Sequence, residues 1–416
     1  MSDIVLTTSE FSHLIFQHLH RRSLAQVSRV CRLWNAASQS HLLREATRRN
    51  QFDHVETLIK RGVLGGVSDA FGNCALHYAT KAQNLSLVSK LLATGVDPNA
   101  VNEVGCTALH IAVLNNQLDM ARSLLEHGAL IDVTIKGGFT PLSIASLHGH
   151  EHIVRLLLEY GASVHAKTDD GKTPLYMAAS KGHTTIVSLL FAHDASVDIQ
   201  DNTNCSPLHI ASLHGHEHIV RLLLEYGALI HGATSEQITP LHLAAFKGHA
   251  NIVRCLLEDA DFVDPQTSQL TTPLHLAAQN GHESVVVLLL NHGASIDLRM
   301  EDGSTALHIA AREGHANIVH CLLENAAFVN LRTSQLTTPL YLAAQNGHER
   351  VVVLLLNHGA SIDLPVKDGS NALHIAAQNG FKNIFRLLIE HMGLGRCSGT
   401  PWFETFIDEC VREYVL

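Results

Sequence analysis

The side chains in this sequence best suited to chemistry are its 31 histidines, because an imidazole can bind a metal ion or transfer a proton near neutral pH. Fourteen of them stand at one of two positions that recur at multiples of 33 residues. A zinc site needs four ligands that converge on one point, whereas these histidines are strung out along the chain. We therefore predict no metal site. The two sets are His77, His110, His209, His242, His275, His308 and His374, and His150, His183, His216, His249, His282, His315 and His348.

A second candidate for chemistry is a cysteine–histidine pair. Cys205 lies four residues before His209, and a thiol beside an imidazole can act as a nucleophile. We expect an ordinary surface cysteine instead, because the sequence has no G-x-S-x-G, phosphate-loop or H-E-x-x-H motif. We predict no catalytic residue, no cofactor and thus a protein that is not an enzyme. The eight cysteines form no C-x-x-C pair, which is typical of a reducing compartment.

The histidines follow a larger repeat. Ten leucines stand in phase at a spacing of 33 residues: Leu76, Leu109, Leu142, Leu175, Leu208, Leu241, Leu274, Leu307, Leu340 and Leu373. A fixed period between about 20 and 50 residues indicates a stacked repeat protein.

Each repeat carries its own helix start and stop signals. Thr239 is a suitable N-cap, and Pro240 suits the first helical position. Gly248 predicts the helix end, because glycine tolerates the left-handed conformation. Eight of the ten repeats have glycine there, and the first two have Gln83 and Asn116. A second helix should follow, with one apolar face made by Ile252, Val253, Leu256 and Leu257.

These residues resemble the ankyrin repeat, whose pattern is T-P-L-H-x-A, then G-H, an L-L run and G-A. The resemblance covers about three quarters of the chain. It implies an all-α repeat solenoid of paired antiparallel helices with a β-hairpin finger in each unit. It also implies structural hydrogen-bonding roles for the histidines, and a protein that binds other proteins. Buried neutral histidines would make the array less stable in acid.

Residues 1–40 do not fit the repeat. One interpretation is a helical cap for the array; the other is an F-box, since the segment resembles the pattern that ends in V-C-x-x-W. The resemblance implies adaptor-binding residues at Glu10, Phe11, Leu14, Ile15, Leu19, Leu24, Val27, Val30 and Trp34. Thr7 and Thr8 replace the Leu-Pro pair that helps to dock the adaptor in that family.

The sequence therefore predicts four parts: an F-box-like module at 1–40, a degenerate capping unit at 41–73, ten ankyrin repeats at 74–395 and a C-terminal capping helix at 396–416. The acidic, apolar-ended tail also resembles the secretion signals of some intracellular bacteria. Repeats that are near copies at a 66-residue offset indicate duplication of two-repeat blocks.

The ankyrin resemblance implies partner contacts from the fingers and from the two residues before the helix-end glycine. The predicted contact residues are Phe139, Leu147, His148, Lys172, Lys181, Leu213, His214, Ile238, Phe246 and Lys247. The alternative is that these residues only pack neighbouring fingers together. Fingers at Leu270 and Leu336 lack the turn glycine, so their apolar tips are either buried or form a second contact site.

Composition limits the partners. A net charge of −10 argues against nucleic acid, and no apolar run is long enough to span a membrane. We predict a cytoplasmic protein, in a host cytosol if it is a secreted bacterial effector, that is a monomer within a complex. The predicted function is a substrate receptor that joins a protein on the concave ankyrin face to a cullin-ligase adaptor. The alternative is an ankyrin scaffold or effector without ubiquitylation.

Overall fold

The computed structural model describes residues 42, 45–49, 51, 57, 68, 70–258 and 263–394. The predicted F-box-like module and C-terminal capping helix lie outside the described residues, as does most of the predicted capping unit.

Within the described residues, short helices alternate as a first and a second helix in each repeat. The first helices are α1 (Ala75–Lys81), α3 (Ala108–Leu114), α5 (Pro141–His148), α7 (Pro174–Lys181), α9 (Pro207–His214), α11 (Pro240–Lys247), α13 (Pro273–Gln279), α15 (Ala306–Glu313), α17 (Pro339–Gln345) and α19 (Ala372–Gln378). The second helices are α2 (Leu85–Ala93), α4 (Leu118–Glu126), α6 (Glu151–Glu159), α8 (Thr184–Ala192), α10 (Glu217–Glu225), α12 (Ala250–Glu258), α14 (Glu283–Asn291), α16 (Ala316–Glu324), α18 (Glu349–Asn357) and α20 (Lys382–Ile389). A short π-helix, Glu390–Leu394, follows α20.

The predicted start and stop signals act as expected. Pro240 occupies the first turn of α11, and Gly248 ends that helix in the left-handed conformation with φ 76°. Gln83 and Asn116 take the same conformation in the first two repeats, with φ 58° and 55°. A left-handed residue is therefore required at this position whether or not it is glycine.

Stacking buries the apolar faces. Within each of the two units defined at the end of this subsection, a first helix packs on the second helix of its own repeat and on the first helix of the next repeat. Successive second helices pack on one another in the same order. Nine of the ten in-phase leucines are at most 4% exposed, whereas Leu373, in the last repeat, is half-buried. Alanines such as Ala244 and Ala245 are fully buried between neighbouring first helices, where a larger side chain would force them apart.

The β-hairpin fingers expected from the ankyrin resemblance are not confirmed. The described residues contain no named strand, and they contain one isolated antiparallel bridge, between Ile135 and Phe139. The fingers are tight turns, as in 267–271, where the Thr267 N–H donates to the Thr271 carbonyl over 3.0 Å and the Leu270 N–H donates back to Thr267 over 2.9 Å. A turn of five residues is too short to form a regular ladder.

The chain divides into two compact units. The first contains residues up to 178 together with 185–195, and the second contains 179–184 together with the residues from 196 onward. Among the described residues, no helix is both long enough and apolar enough to cross a membrane.

Candidate protein-binding surface

Five histidines of the first set hold the start of their first helix to a later segment of the chain. The Thr239 N–H donates to His242 Nδ1 over 3.1 Å, and His242 Nε2 donates to the Thr271 carbonyl over 3.0 Å. Because a backbone N–H can only donate, Nδ1 must be unprotonated and the imidazole neutral. The same pair of bonds is made by His77, His209, His275 and His308.

Five histidines of the second set tie their repeat to the one before it. His282 Nε2 lies 3.0 Å from the carbonyl oxygen of Phe246, 36 residues earlier. A Cβ atom added at Gly248 would come within 2.5 Å of His282 Nδ1, so this glycine is required by close approach as well as by its backbone conformation. Equivalent bonds are made by His216, His249, His315 and His348.

Burial keeps five histidines of the first set neutral. It lowers the pKa of His110, His242, His275 and His308 to about 4, and it also lowers the pKa of His209. Hydrogen bonds to backbone carbonyls oppose this shift only in part. Among the described residues, no group of three or more His, Cys, Asp or Glu side chains is placed to hold a metal ion.

The cysteine–histidine pairs are part of the helix starts. His209 Nδ1 is bonded to Ser206, through its N–H at 3.2 Å and its hydroxyl at 2.7 Å, and Nε2 lies 3.1 Å from the Ile238 carbonyl. Both nitrogens are thus engaged away from Cys205. A pair that sequence reasoning missed is Cys74 and His77, with Sγ 3.1 Å from Nδ1.

Cys74 takes the N-cap position that threonine, serine or, in the last repeat, Asn371 holds elsewhere. Burial raises the pKa of its thiol, but the contacts with His77 outweigh burial and lower the pKa overall. Because Cys74 is only 2% exposed, a substrate could not reach its sulfur.

In the first unit, the predicted contact residues have several intramolecular partners. Phe139 is half-buried in its finger, where its carbonyl accepts the Ile135 N–H at 3.0 Å. Lys172 lies 3.4 Å from Asp170 and 5.8 Å from the ring centroid of Tyr176. Leu147 is half-buried, and the exposed His148 stacks on His150.

In the second unit, three of the predicted contact residues occupy equivalent positions in successive repeats. Lys181, His214 and Lys247 are exposed, each one residue before a helix-end glycine. Burial lowers the pKa of His214, and the nearby charges of His216, Lys181 and Lys247 lower it further. Leu213, beside His214, is half-buried.

Ile238 and Phe246 meet at a groove between the fingers and the first helices of two successive repeats. We call it the Phe246 groove. Its volume is about 570 Å³, within the range of ligand pockets. Its lining consists of Glu236, Ile238, His242, Leu243, Phe246, Thr267, Ser268, Gln269, Thr271 and Leu276. Sequence reasoning missed Leu243 and Leu276. The helical i, i+3 spacing of Leu243 and Phe246 is a signal that could have identified the first of them.

Comparison with protein families identifies both parts of the chain. The family described as ankyrin repeats matches overlapping segments at 43–137, 82–168, 142–233, 196–267, 227–300, 295–366 and 329–397. The family described as F-box-like matches residues 9–48. No curated protein matches the chain significantly.

The chain belongs to the ankyrin-repeat family, with an all-α repeat fold and an F-box-like module at its N-terminus. Modules of both kinds are typically non-catalytic and bind other proteins. The chain is thus a protein-interaction adaptor with protein partners.

Proposed function

We propose that this protein is the substrate-recognition subunit of a cullin-RING ubiquitin ligase of the SCF type. The observation that carries the proposal is the presence, in one chain, of an F-box-like segment at 9–48 and ankyrin repeats from residue 43 onward. The F-box-like segment binds the ligase adaptor, and the repeats hold the protein that is ubiquitylated. Other subunits perform the transfer of ubiquitin, so the chain itself is not an enzyme.

The substrate surface that we propose consists of predicted contact residues in each unit: Phe139, Leu147, His148 and Lys172 in the first, and Lys181, Leu213, His214, Ile238, Phe246 and Lys247 in the second. Its support in the second unit is an exposed aromatic side chain, Phe246, beside an exposed lysine, because aromatic and cationic residues supply much of the binding energy at protein interfaces. The net charge of −10 disfavours nucleic acid as the partner. We place the protein in the cytoplasm, as a monomer within the ligase.

The adaptor is the partner to test first, with isothermal titration of the purified adaptor into the full chain. The proposed adaptor-binding residues include Leu19 and Trp34. Leu19→Asp and Trp34→Ala should each abolish the binding heat while the far-ultraviolet circular dichroism of the repeats stays unchanged. Unaltered adaptor binding by both variants, or no binding by the unmodified chain, would refute the proposal.

One observation favours a second candidate function. Thr7 and Thr8 stand where an F-box has the Leu-Pro pair that helps to dock the adaptor. The second candidate is therefore a non-catalytic scaffold, or an effector in a host cell, that binds a protein without ubiquitylation. This second function predicts that the unmodified chain shows no binding heat in the titration with the adaptor, while the repeats still bind their protein partner.

A further inference from the structure

The Phe246 groove has an apolar floor and a polar rim. Ile238, Leu243, Phe246 and Leu276 supply the apolar lining, and Thr267, Ser268, Gln269 and Thr271 line the side formed by the finger at 267–271. Phe246 is 38% exposed and Ile238 is half-buried, so apolar surface remains accessible. A cavity of about 570 Å³ has room for a large apolar side chain and the segment that carries it.

The walls of the groove are fixed before a partner binds. His282 Nε2 holds the carbonyl of Phe246 at 3.0 Å, two residues before the left-handed Gly248. On the opposite wall, His242 Nε2 holds the Thr271 carbonyl at 3.0 Å, and Ser268 Oγ donates to the Glu236 carbonyl at 2.9 Å. A partner therefore loses little binding free energy to ordering the site.

The charges around the groove are unevenly placed. Lys247 Nζ lies 5.0 Å from the ring centroid of Phe246. This cation–π contact keeps a positive charge at the C-terminal end of α11, beside the groove. Lys181, two repeats earlier, is a second exposed lysine on the same unit. A carboxylate, Glu236, stands on the finger side. Lys247 therefore puts a positive charge beside the ring of Phe246 in a chain of net charge −10.

We propose that the Phe246 groove binds an apolar or aromatic side chain of a protein partner whose neighbouring residues are acidic and pair with Lys247. The inference rests on the proposed function only in that the repeats hold the partner, and it is independent of the F-box-like module. Electrostatic complementarity of this kind sets specificity and the rate of association, while burial of the apolar side chain supplies most of the affinity.

A selection experiment tests the composition of the partner directly. A phage-displayed library of random dodecapeptides is selected on the full chain, on Phe246→Ala and on Lys247→Glu. Two matched controls on the same unit are Phe328→Ala, which removes a ring that is 67% exposed, and Lys367→Glu, which reverses an exposed charge.

The unmodified chain and both controls should enrich peptides with Phe, Leu or Trp between Asp and Glu residues. Phe246→Ala should bind the enriched consensus peptide about tenfold more weakly in fluorescence anisotropy, as truncation of an interface anchor does. Lys247→Glu should lose the preference for acidic flanks, and Glu236→Gln should keep or strengthen it. Thermal melting shows that each variant is folded.

Enrichment of peptides without acidic residues, no enrichment, or equal enrichment by Phe246→Ala would overturn the proposal. Selection on Leu19→Asp separates this outcome from failure of the ligase role. That variant should select the same peptides even though it cannot bind the adaptor.

Discussion

His242 joins two successive repeats through a single neutral ring, which accepts the N–H of Thr239 and donates to the carbonyl of Thr271. The same residue lines the Phe246 groove. The protonation state of the buried histidines is therefore linked both to the stability of the stack and to the shape of its proposed binding surface.

Acid should destabilise the repeats. Burial lowers the pKa of four histidines from 6.5 to about 4 in the folded state, so their contribution to stability is present above pH 6.5 and is lost as the pH falls towards 4. Each of these histidines should lower the free energy of unfolding by about 1–2 kcal/mol between pH 7.5 and pH 5. Urea unfolding at both pH values measures this. The unfolding free energy of the double variant His242→Asn with His275→Asn should change less between the two pH values. Equal unfolding free energies of the unmodified chain at both pH values would contradict the prediction.

Substitution of an in-phase leucine should destabilise its own neighbourhood. Leu307 is 1% exposed in α15, and Leu307→Ala should cost about 2–5 kcal/mol by loss of burial and creation of a cavity. Leu229→Ala, at a side chain 61% exposed, should change the free energy of unfolding by less than about 0.5 kcal/mol. Hydrogen exchange should show faster opening in the repeats that adjoin Leu307. Equal protection losses in every repeat would rule out local stacking.

Two leucines adopt a backbone conformation that normally favours glycine. Leu270 and Leu336 have φ 59° and 63° at their finger turns. Leu270→Gly should stabilise the protein by about 1 kcal/mol, because relief of left-handed strain outweighs the added freedom of the unfolded chain. Gly303→Ala, at the equivalent turn with φ 80°, should destabilise it. A lower melting temperature for Leu270→Gly would show that the leucine side chain stabilises the finger.

Glycine at a helix end is needed for two separable reasons. Gly248 and Gly359 both have a left-handed backbone, but an added Cβ would meet the His282 ring at Gly248 and nothing within 4 Å at Gly359. Gly359→Ala should cost about 1–2 kcal/mol from strain alone. Gly248→Ala should cost more, because the His282 ring must also move away from the Phe246 carbonyl. Equal costs in urea unfolding would show that the close approach to His282 contributes nothing.

Much of the fold follows from local signals in the sequence. Pro240, Gly248 and the in-phase leucines predict where the helices begin, end and bury their faces, because each signal acts within a few residues. The fingers were less predictable, since the choice between a hairpin and a tight turn depends on hydrogen bonds across a five-residue segment such as 267–271.

The candidate surface is assembled from residues of successive repeats, so its shape depends on how the repeats align when they stack. The spacing predicts that Ile238 and Phe246 are contact positions, but Thr267 and Leu276 belong to the next repeat and meet them only after stacking. The bond from His282 to Phe246 is likewise a contact across 36 residues, which no local pattern reveals. Sequence therefore predicts positions along one repeat better than the grooves between repeats.

The proposed ligase role requires that one end of the chain binds a ligase adaptor while the repeats bind a different protein. A pull-down from eukaryotic cytosolic extract tests it with three proteins: the unmodified chain, Leu19→Asp with Trp34→Ala, and Phe246→Ala with Lys247→Glu. We predict that adaptor and cullin are lost only with the first double variant, and that at least one other protein is lost only with the second. If no version recovers a cullin and all recover the same partner, the protein is an ankyrin scaffold and the ligase role is wrong.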